Sequence, residues 1–290
     1  GSMAITAQAF AFGLDVDGGA MGNVSNSGAM TVDAGAAIHR IGAVVAADVV
    51  ISRSGNDCIV SCVTLERVAE FRPDRRFEPV EGIALRIAAG RDTIKRVVLL
   101  GPAHRVPVRG LALPQSEAFE TPLGTVPLDT QATALLGDLP QVSASAPAHA
   151  WEHSLEVQLP FLQKTLGGFT LVPLVVGDAT AQEVAEVLER LWGGPETLIV
   201  ISSDLSHYLP YELAQKIDDQ TVHMILDLQR VTHEQACGGT PVNGLLLAAK
   251  QHHLQPELLD VRNSGDTAGD HDHVVGYAAF AFVEEAQRAH

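Results

Sequence analysis

The sequence has few cysteines, few basic residues and no long apolar run. Three cysteines, Cys58, Cys62 and Cys237, cannot build a disulfide framework, and their odd number leaves at least one free thiol, as is typical of a reducing compartment. The 19 Lys and Arg against 35 Asp and Glu give a net charge of −16, which repels nucleic-acid phosphates and anionic lipids. No window reaches the roughly 18 consecutive apolar residues of a membrane span, and the amino end carries no secretory pattern. We therefore expect a cytoplasmic protein with no nucleic-acid partner and no membrane partner.

Several catalytic motifs and, in one region, leucine are also missing. The sequence contains no GxSxG elbow, Walker loop, dinucleotide-binding glycine fingerprint or HExxH helix, which disfavours common hydrolases, nucleotide-binding proteins and zinc proteases. Residues 1–80 contain two leucines, Leu14 and Leu65, whereas the remaining 210 residues contain thirty. We therefore separate an atypical amino-terminal segment, residues 1–77, from residues 78–290, which read as an α/β unit; the two together are expected to form one domain. Residues 4–36, rich in Gly, Ala, Ser and Asn, are expected to be the least ordered.

From residue 80 onward, strand patterns alternate with helical ones. Apolar residues make up 46% of the chain, which is enough for a sizeable core. The alternation predicts a three-layer α/β sandwich with a mostly buried central sheet. "ETPLGTVPLD", residues 120–129, predicts a hairpin that forms a lid or wall. The predicted strands are IKRVVLLG, FTLVPLVVG, TLIVISSD and VVGYAAFAFVE, and the predicted helices are VEGIALRIAAG, SLEVQLPFLQKTL, AQEVAEVLERLWGG, ELAQKIDDQTVHMILDL and NGLLLAAKQHH.

Two of the predicted strands end in polar side chains. VVLL runs into Gly-Pro-Ala and His104, and LIVI runs into "SSDLSHY", which contains Asp204 and His207. In open α/β sheets ligands bind at the carboxyl ends of strands, so these residues are candidates for metal binding or proton transfer. The ordinary alternatives are a turn histidine at His104 and a helix-capping cluster around Asp204.

Cys237 and the stretch "WEHSLEVQLP" supply further candidates. Cys237 precedes two glycines, so it lies in a loop, where its thiolate would be a soft ligand for iron, copper or zinc; passive packing is the alternative. Glu152, His153 and Glu156 fall at the start of a predicted helix, where a solvated acidic first turn accounts for the two glutamates without chemistry. A hydrolase that uses Glu152 and His153 is a third and weaker functional interpretation.

Six blocks together resemble the Memo family, whose bacterial and archaeal members are called AmmeMemoRadiSam system protein B. The blocks are GPAHRVPVRGLALP, AFETPLGTVPLD, EHSLEVQLPFL, SSDLSHY, CGGTPVNGLL and SGDTAGDHDHVVGYAAF, within about residues 78–284. The resemblance implies a fold similar to class III extradiol dioxygenases, with a non-haem metal cleft at the strand ends. It implies that His104 and Cys237 are metal ligands, and that Asp204 and His207 are catalytic residues lining the cleft, with His207 as acid and base. Glu152 and His153 are expected in the wall of the cleft.

The chain departs from the family at one ligand. The family's other metal histidine lies in a Pro-His-Ala-Gly block upstream, and this sequence has no histidine between His39 and His104. His39 would replace it only if the amino-terminal part had a different topology. As an alternative hypothesis, the leucine-poor segment is a shifted reading frame that joins the true frame near Phe77.

The sequence leaves two classes of function open. The first is a redox or dioxygenase-like enzyme with an incomplete site, holding non-haem iron, or else copper or zinc, at substoichiometric occupancy. The second is a non-enzymatic protein that binds a metal or interacts with other proteins through the same cleft. Either class allows a small-molecule or peptide ligand, and the oligomeric state does not follow from the sequence.

Overall fold

A computed structural model describes residues 46–48, 58–64, 90–266 and 271–284 of the chain. The expectations for residues 4–36, for the boundary at residue 77, for His39 and for nearly all of the helix predicted over residues 80–90 fall outside these ranges. The described part is a mixed α/β structure, as the alternating patterns predict.

The first sheet holds the strands that lead to the candidate residues. Its five strands are β3 Arg96–Pro102, β4 Leu111–Leu113, β7 Val142–Ala144, β8 Thr170–Val176 and β9 Thr197–Ile201. They lie in the order β7-β4-β8-β3-β9. β3 is parallel to both of its neighbours, while β4 is antiparallel to β8 and parallel to β7. All five residues of β9 are buried, as are six of the seven in β3, which is typical of parallel strands that are covered on both faces.

A second, antiparallel sheet is built around the carboxyl-terminal strand of the described chain. Its strands are β1 Ala46–Asp48, β2 Cys58–Thr64, β10 His207–Leu209, β11 Leu254–Asn263 and β12 Val274–Glu284. β12 pairs with β11 along nearly its whole length, and with β2 and β10 as well. β11 was not predicted: it contains Pro256, and its burial does not alternate strictly from residue to residue. The two sheets meet where β2 approaches β9.

Six helices of the described residues flank the sheets, and the apolar periodicity predicted the last four of them. They are α1 Thr130–Ala134, α2 Ala146–Ala150, α3 Leu159–Thr165, α4 Ala181–Leu191, α5 Tyr211–Leu226 and α6 Gly239–Gln251, with 3-10 turns at Glu156–Gln158 and Ser264–Asp266. α4 begins at a capping box in which Thr180 and Glu183 satisfy each other's backbone N–H groups, and its apolar stripe packs on α6. α6 contacts β3 and β9, and α5 contacts β11 and β12.

The predicted hairpin forms, but it does not border the carboxyl ends of the strands. Its strands are β5 Ala118–Thr121 and β6 Gly124–Pro127. Leu123 at its turn lines a groove together with Lys95, which precedes β3, and Thr170, which begins β8. The hairpin therefore forms one wall of a groove, but this groove is at the amino-terminal edge of the sheet and not at the carboxyl edge, where the candidate residues lie.

The stretch around Glu152 also differs from the prediction. Helical structure begins only at Glu156, so Glu152 lies in the turn after α2. Its side chain is 3% exposed, so the solvated first turn is wrong for this residue. Within the described ranges, every helix is too short or too polar to cross a lipid bilayer.

Candidate metal centre

The carboxyl ends of two adjacent strands bring the first candidates to one edge of the sheet. β3 and β9 are parallel and paired from Arg96 with Thr197 to Leu100 with Ile201. His104 follows the end of β3 by two residues, and the segment Ser202–His207 follows β9 directly. Parallel strands end at the same edge, so both segments emerge on the side where α/β sheets bind ligands.

Three of the predicted residues form one cluster of donor atoms. A sulfur of Cys237, a nitrogen of His207 and a carboxylate oxygen of Asp204 all lie within 4.8 Å of one another. Nε2 of His207 is 3.5 Å from Oδ2 of Asp204. All three residues are partly exposed, so the cluster is open to a ligand. His104 is not a member of this group; its contacts are with Glu152, described below.

The loop before α6 holds Cys237 against the end of β9. The backbone N–H of Asp204 donates to Sγ of Cys237 at 3.1 Å, and the N–H of Cys237 donates to the carbonyl oxygen of Asp204, also at 3.1 Å. Oγ of Ser203 accepts the N–H of Gly238 at 2.8 Å. A Cβ at Gly238 would lie 2.6 Å from Cβ of Ser203, so only glycine allows this approach. The backbone N–H of Asp204 and the nearby amino end of α6 both place partial positive charge close to the sulfur.

The hydrogen bonds of His207 set its tautomer. Its Nδ1 lies 2.9 Å from the carbonyl oxygen of Leu205, which can only accept, so Nδ1 carries a proton and Nε2 faces Asp204. The hydrogen bond with Asp204 raises the pKa of the His207 imidazole above its usual value, although burial opposes this. Nε2 of His207 is therefore the atom through which this side chain could exchange a proton or bind a cation.

His104 and Glu152 form a carboxylate–histidine pair at the end of β3. Nδ1 of His104 is 3.0 Å from Oε1 of Glu152, and Oε2 accepts the backbone N–H of His104 at 2.6 Å. Oε1 also accepts the N–H groups of His153 and Ser154. Burial alone would raise the pKa of Glu152, but the hydrogen bonds, led by that from the His104 side chain, lower it to about 2. Because Nδ1 donates to the carboxylate, Nε2 of His104 is left for a ligand, as in many metal-binding histidines.

His153 has a different environment. Its side chain is 61% exposed, and Nδ1 lies 2.6 Å from Oε1 of Glu156, which is 44% exposed. Its contact with Glu152 is made by the backbone N–H. The interpretation of Glu152 and His153 as a hydrolytic pair therefore has no side-chain contact to support it.

Asp218, Ser206 and Gly276 contribute to the site but were not found from the sequence. Asp218 is 3% exposed and accepts hydrogen bonds from both the backbone N–H and the hydroxyl of Ser206. Gly276 of β12 exchanges backbone hydrogen bonds with the same loop. A signal for Asp218 was present, because it falls in register with the buried Ala214, Val222 and Ile225 of α5, where a carboxylate is unexpected.

The cluster suits a transition metal by its chemistry and its spacing. Two donors that each lie about 2.0–2.3 Å from one ion are at most about 4.6 Å apart, close to the spread seen here. Thiolate, imidazole and carboxylate together are typical ligands of iron, zinc or copper. The fold and this cluster define a mixed α/β protein with a candidate metal centre at the carboxyl edge of its sheet.

Comparison with known proteins assigns the family. The family of Memo-like proteins matches residues 75–281. A MEMO1 family protein of Methanopyrus kandleri is 35% identical over 220 residues, which cover 70% of this chain and 78% of that protein. A MEMO1 family protein of Aquifex aeolicus is 36% identical over 206 residues, covering 65% and 76%. The chain belongs to the Memo family.

The similarity of this chain to a solved structure is weaker than its similarity to these relatives. An uncharacterized protein of Escherichia coli K12 matches with a TM-score of 0.42 and 15% sequence identity, over 68% of this chain and 91% of that chain. This level of similarity is too low to support an inference about fold or chemistry.

Proposed function

We propose that this protein binds one transition metal ion, iron foremost with copper or zinc as alternatives, through Cys237, His207 and Asp204. The observation that carries the proposal is the convergence of a sulfur, a nitrogen and an oxygen donor within 4.8 Å. The family resemblance named His104 and Cys237 as ligands; the geometry favours Asp204 and His207 as the donors that join Cys237. The further proposal, a fold related to class III extradiol dioxygenases, rests on the resemblance of the six sequence blocks.

A redox or dioxygenase-like activity is the enzymatic form of this proposal. A bound iron would supply Lewis-acid and redox chemistry. The chain itself would present the free Nε2 of His104, whose Nδ1 is anchored by Glu152, as an atom that can accept a proton from a ligand, and it would admit a small-molecule or peptide ligand through the open side of the cluster. Ring cleavage is expected to be weak or absent, because the upstream family histidine has no counterpart between His39 and His104.

Metal analysis tests the binding proposal. Protein purified without oxygen should carry less than one metal ion per chain, and added cobalt(II) should fill the site and produce a thiolate charge-transfer band. Cys237→Ser should abolish the band, because it removes the sulfur ligand. Cys58→Ser, which removes a thiol from β2, is the matched control and should leave the band unchanged.

Two results would contradict the proposal. One is a charge-transfer band of full intensity in Cys237→Ser. The other is a wild-type protein that binds no cobalt(II), zinc or iron. Metal binding that is intact, with no turnover of any oxidisable substrate, would instead favour the non-enzymatic function on the same cleft.

A further inference from the structure

Asp218 is a buried acid that the proposed metal chemistry does not use directly. It lies in the middle of α5, on the face that packs against β11 and β12, and it is 3% exposed. Burial raises the pKa of its carboxyl, while the hydrogen bonds from Ser206 act in the opposite direction. A buried carboxyl costs stability unless its oxygens have good partners, so its contacts show what it does.

Both oxygens of Asp218 hold Ser206, which lies between two proposed metal ligands. Oδ1 accepts the backbone N–H of Ser206 at 3.0 Å, and Oδ2 accepts its hydroxyl at 3.1 Å. Ser206 is fully buried, so neither donor has water as a substitute. Asp204 precedes Ser206 by two residues and His207 follows it by one.

Gly276 of β12 closes the other side of this loop. The N–H of Leu205 donates to the carbonyl oxygen of Gly276 at 2.9 Å, and the N–H of Gly276 donates to the carbonyl oxygen of Ser206 at 2.8 Å. A Cβ at Gly276 would lie 1.9 Å from Oδ2 of Asp218, so the carboxyl packs directly on the glycine backbone. The segment between the two ligands is therefore fixed by a helix on one side and by a strand on the other.

We infer that Asp218 is a positioning residue, which holds the Asp204–Leu205–Ser206–His207 segment in the shape that brings Asp204 and His207 to the metal. That this segment serves metal binding rests on the proposed function. That Asp218 fixes its shape rests on the observed contacts alone. Loss of the carboxyl would leave two buried donors of Ser206 without acceptors, and the loop would have to move to reach other partners. Mutation of residues that orient metal ligands in this way typically lowers metal affinity by about 10- to 100-fold.

Two variants separate positioning from charge. Asp218→Asn keeps the shape, because its amide oxygen accepts the N–H of Ser206 and its amide nitrogen can donate to the hydroxyl, which rotates. Asp218→Ala removes both acceptors. Asp219→Ala changes the next residue of α5, which is exposed, and is the matched control.

Cobalt(II) titration of the full chain measures the first effect. We expect Asp218→Ala to weaken binding by about tenfold or more, and Asp218→Asn and Asp219→Ala to stay within about twofold of the wild-type protein. If Asp218→Ala fails to fold, Ser206→Ala, which removes one of the two donors, should weaken binding by a smaller factor. Wild-type affinity in every folded variant would overturn the inference.

Hydrogen exchange without metal measures the second effect and is independent of the proposed function. The amide of Ser206 should be protected from exchange in the wild-type protein and in Asp218→Asn, and should lose that protection in Asp218→Ala. Unchanged protection in Asp218→Ala would refute the positioning role whether or not metal binds. A wild-type protein that binds no cobalt(II) but shows this pattern would refute the metal function and leave the positioning role standing.

Discussion

Replacement of Glu152 by glutamine should destabilise the protein in a pH-dependent way. The carboxylate has a pKa of about 2 in the folded chain, against an ordinary value of 4.5. The pKa is lowered by folding, so the stabilisation is fully present above about pH 4.5 and is lost as the pH falls towards 2. A difference of about 2.5 pKa units corresponds to about 3 kcal/mol. The side chain of His104 is 46% exposed, so solvent weakens the part of this stabilisation that comes from its hydrogen bond with Glu152. We therefore expect Glu152→Gln to lower the free energy of unfolding by about 2 kcal/mol at pH 7.

Urea unfolding of the two proteins at a series of pH values measures this effect. The wild-type protein and Glu152→Gln should differ in their free energy of unfolding less than half as much at about pH 3 as at pH 7. At the lower pH, protonation of Glu152 removes the stabilisation that its carboxylate provides. Glu156→Gln is the matched control: Glu156 lies in the same stretch but is 44% exposed and pairs with an exposed histidine, so its replacement should cost less than about 0.5 kcal/mol.

The reasoning would be refuted if Glu152→Gln and the wild-type protein differed by the same amount at pH 3 and pH 7. It would also be refuted if Glu156→Gln reproduced the full loss, because the effect would then come from general surface charge. A useful second readout is cobalt(II) affinity, which should fall in Glu152→Gln if His104 takes part in binding, since glutamine no longer anchors its Nδ1 as a carboxylate does.

Three further predictions concern the same edge of the sheet and the segment before it. Asp204→Asn should lower the pKa of His207, because the hydrogen bond with Asp204 raises it; NMR titration of the imidazole in metal-free protein should show this, and an unchanged pKa would contradict the assignment. Gly238→Ala should destabilise the protein by about 1–3 kcal/mol in thermal unfolding and weaken metal binding, because its Cβ would lie 2.6 Å from that of Ser203; wild-type behaviour would mean that the loop adjusts. Sequencing of the genomic locus should reveal a Pro-His-Ala-Gly block in another frame upstream of Phe77, and its absence from all frames would refute the reading-frame hypothesis.

Local patterns in the sequence were sufficient for most regular elements of the described chain. β3, β8 and β9 are short apolar runs, and the stripe of α4 has the helical period, so each element follows from which residues avoid water. Family membership followed equally directly, because six separate blocks keep their order. The sequence also placed Asp204 and His207 directly after one predicted strand, although no helical turn follows that strand and His207 instead begins β10.

Only the tertiary structure decided which residues meet. Cys237 reaches Asp204 across 33 positions because Gly238 allows the loop before α6 to pack on Ser203, and no local pattern encodes that contact. Asp218 is one acid among several in the sequence of α5, and the packing of that helix is what buries it under Ser206. Secondary structure depends on neighbours in the chain, which the sequence displays, whereas a site depends on which surfaces different elements bury against each other, and that is settled only when the core packs.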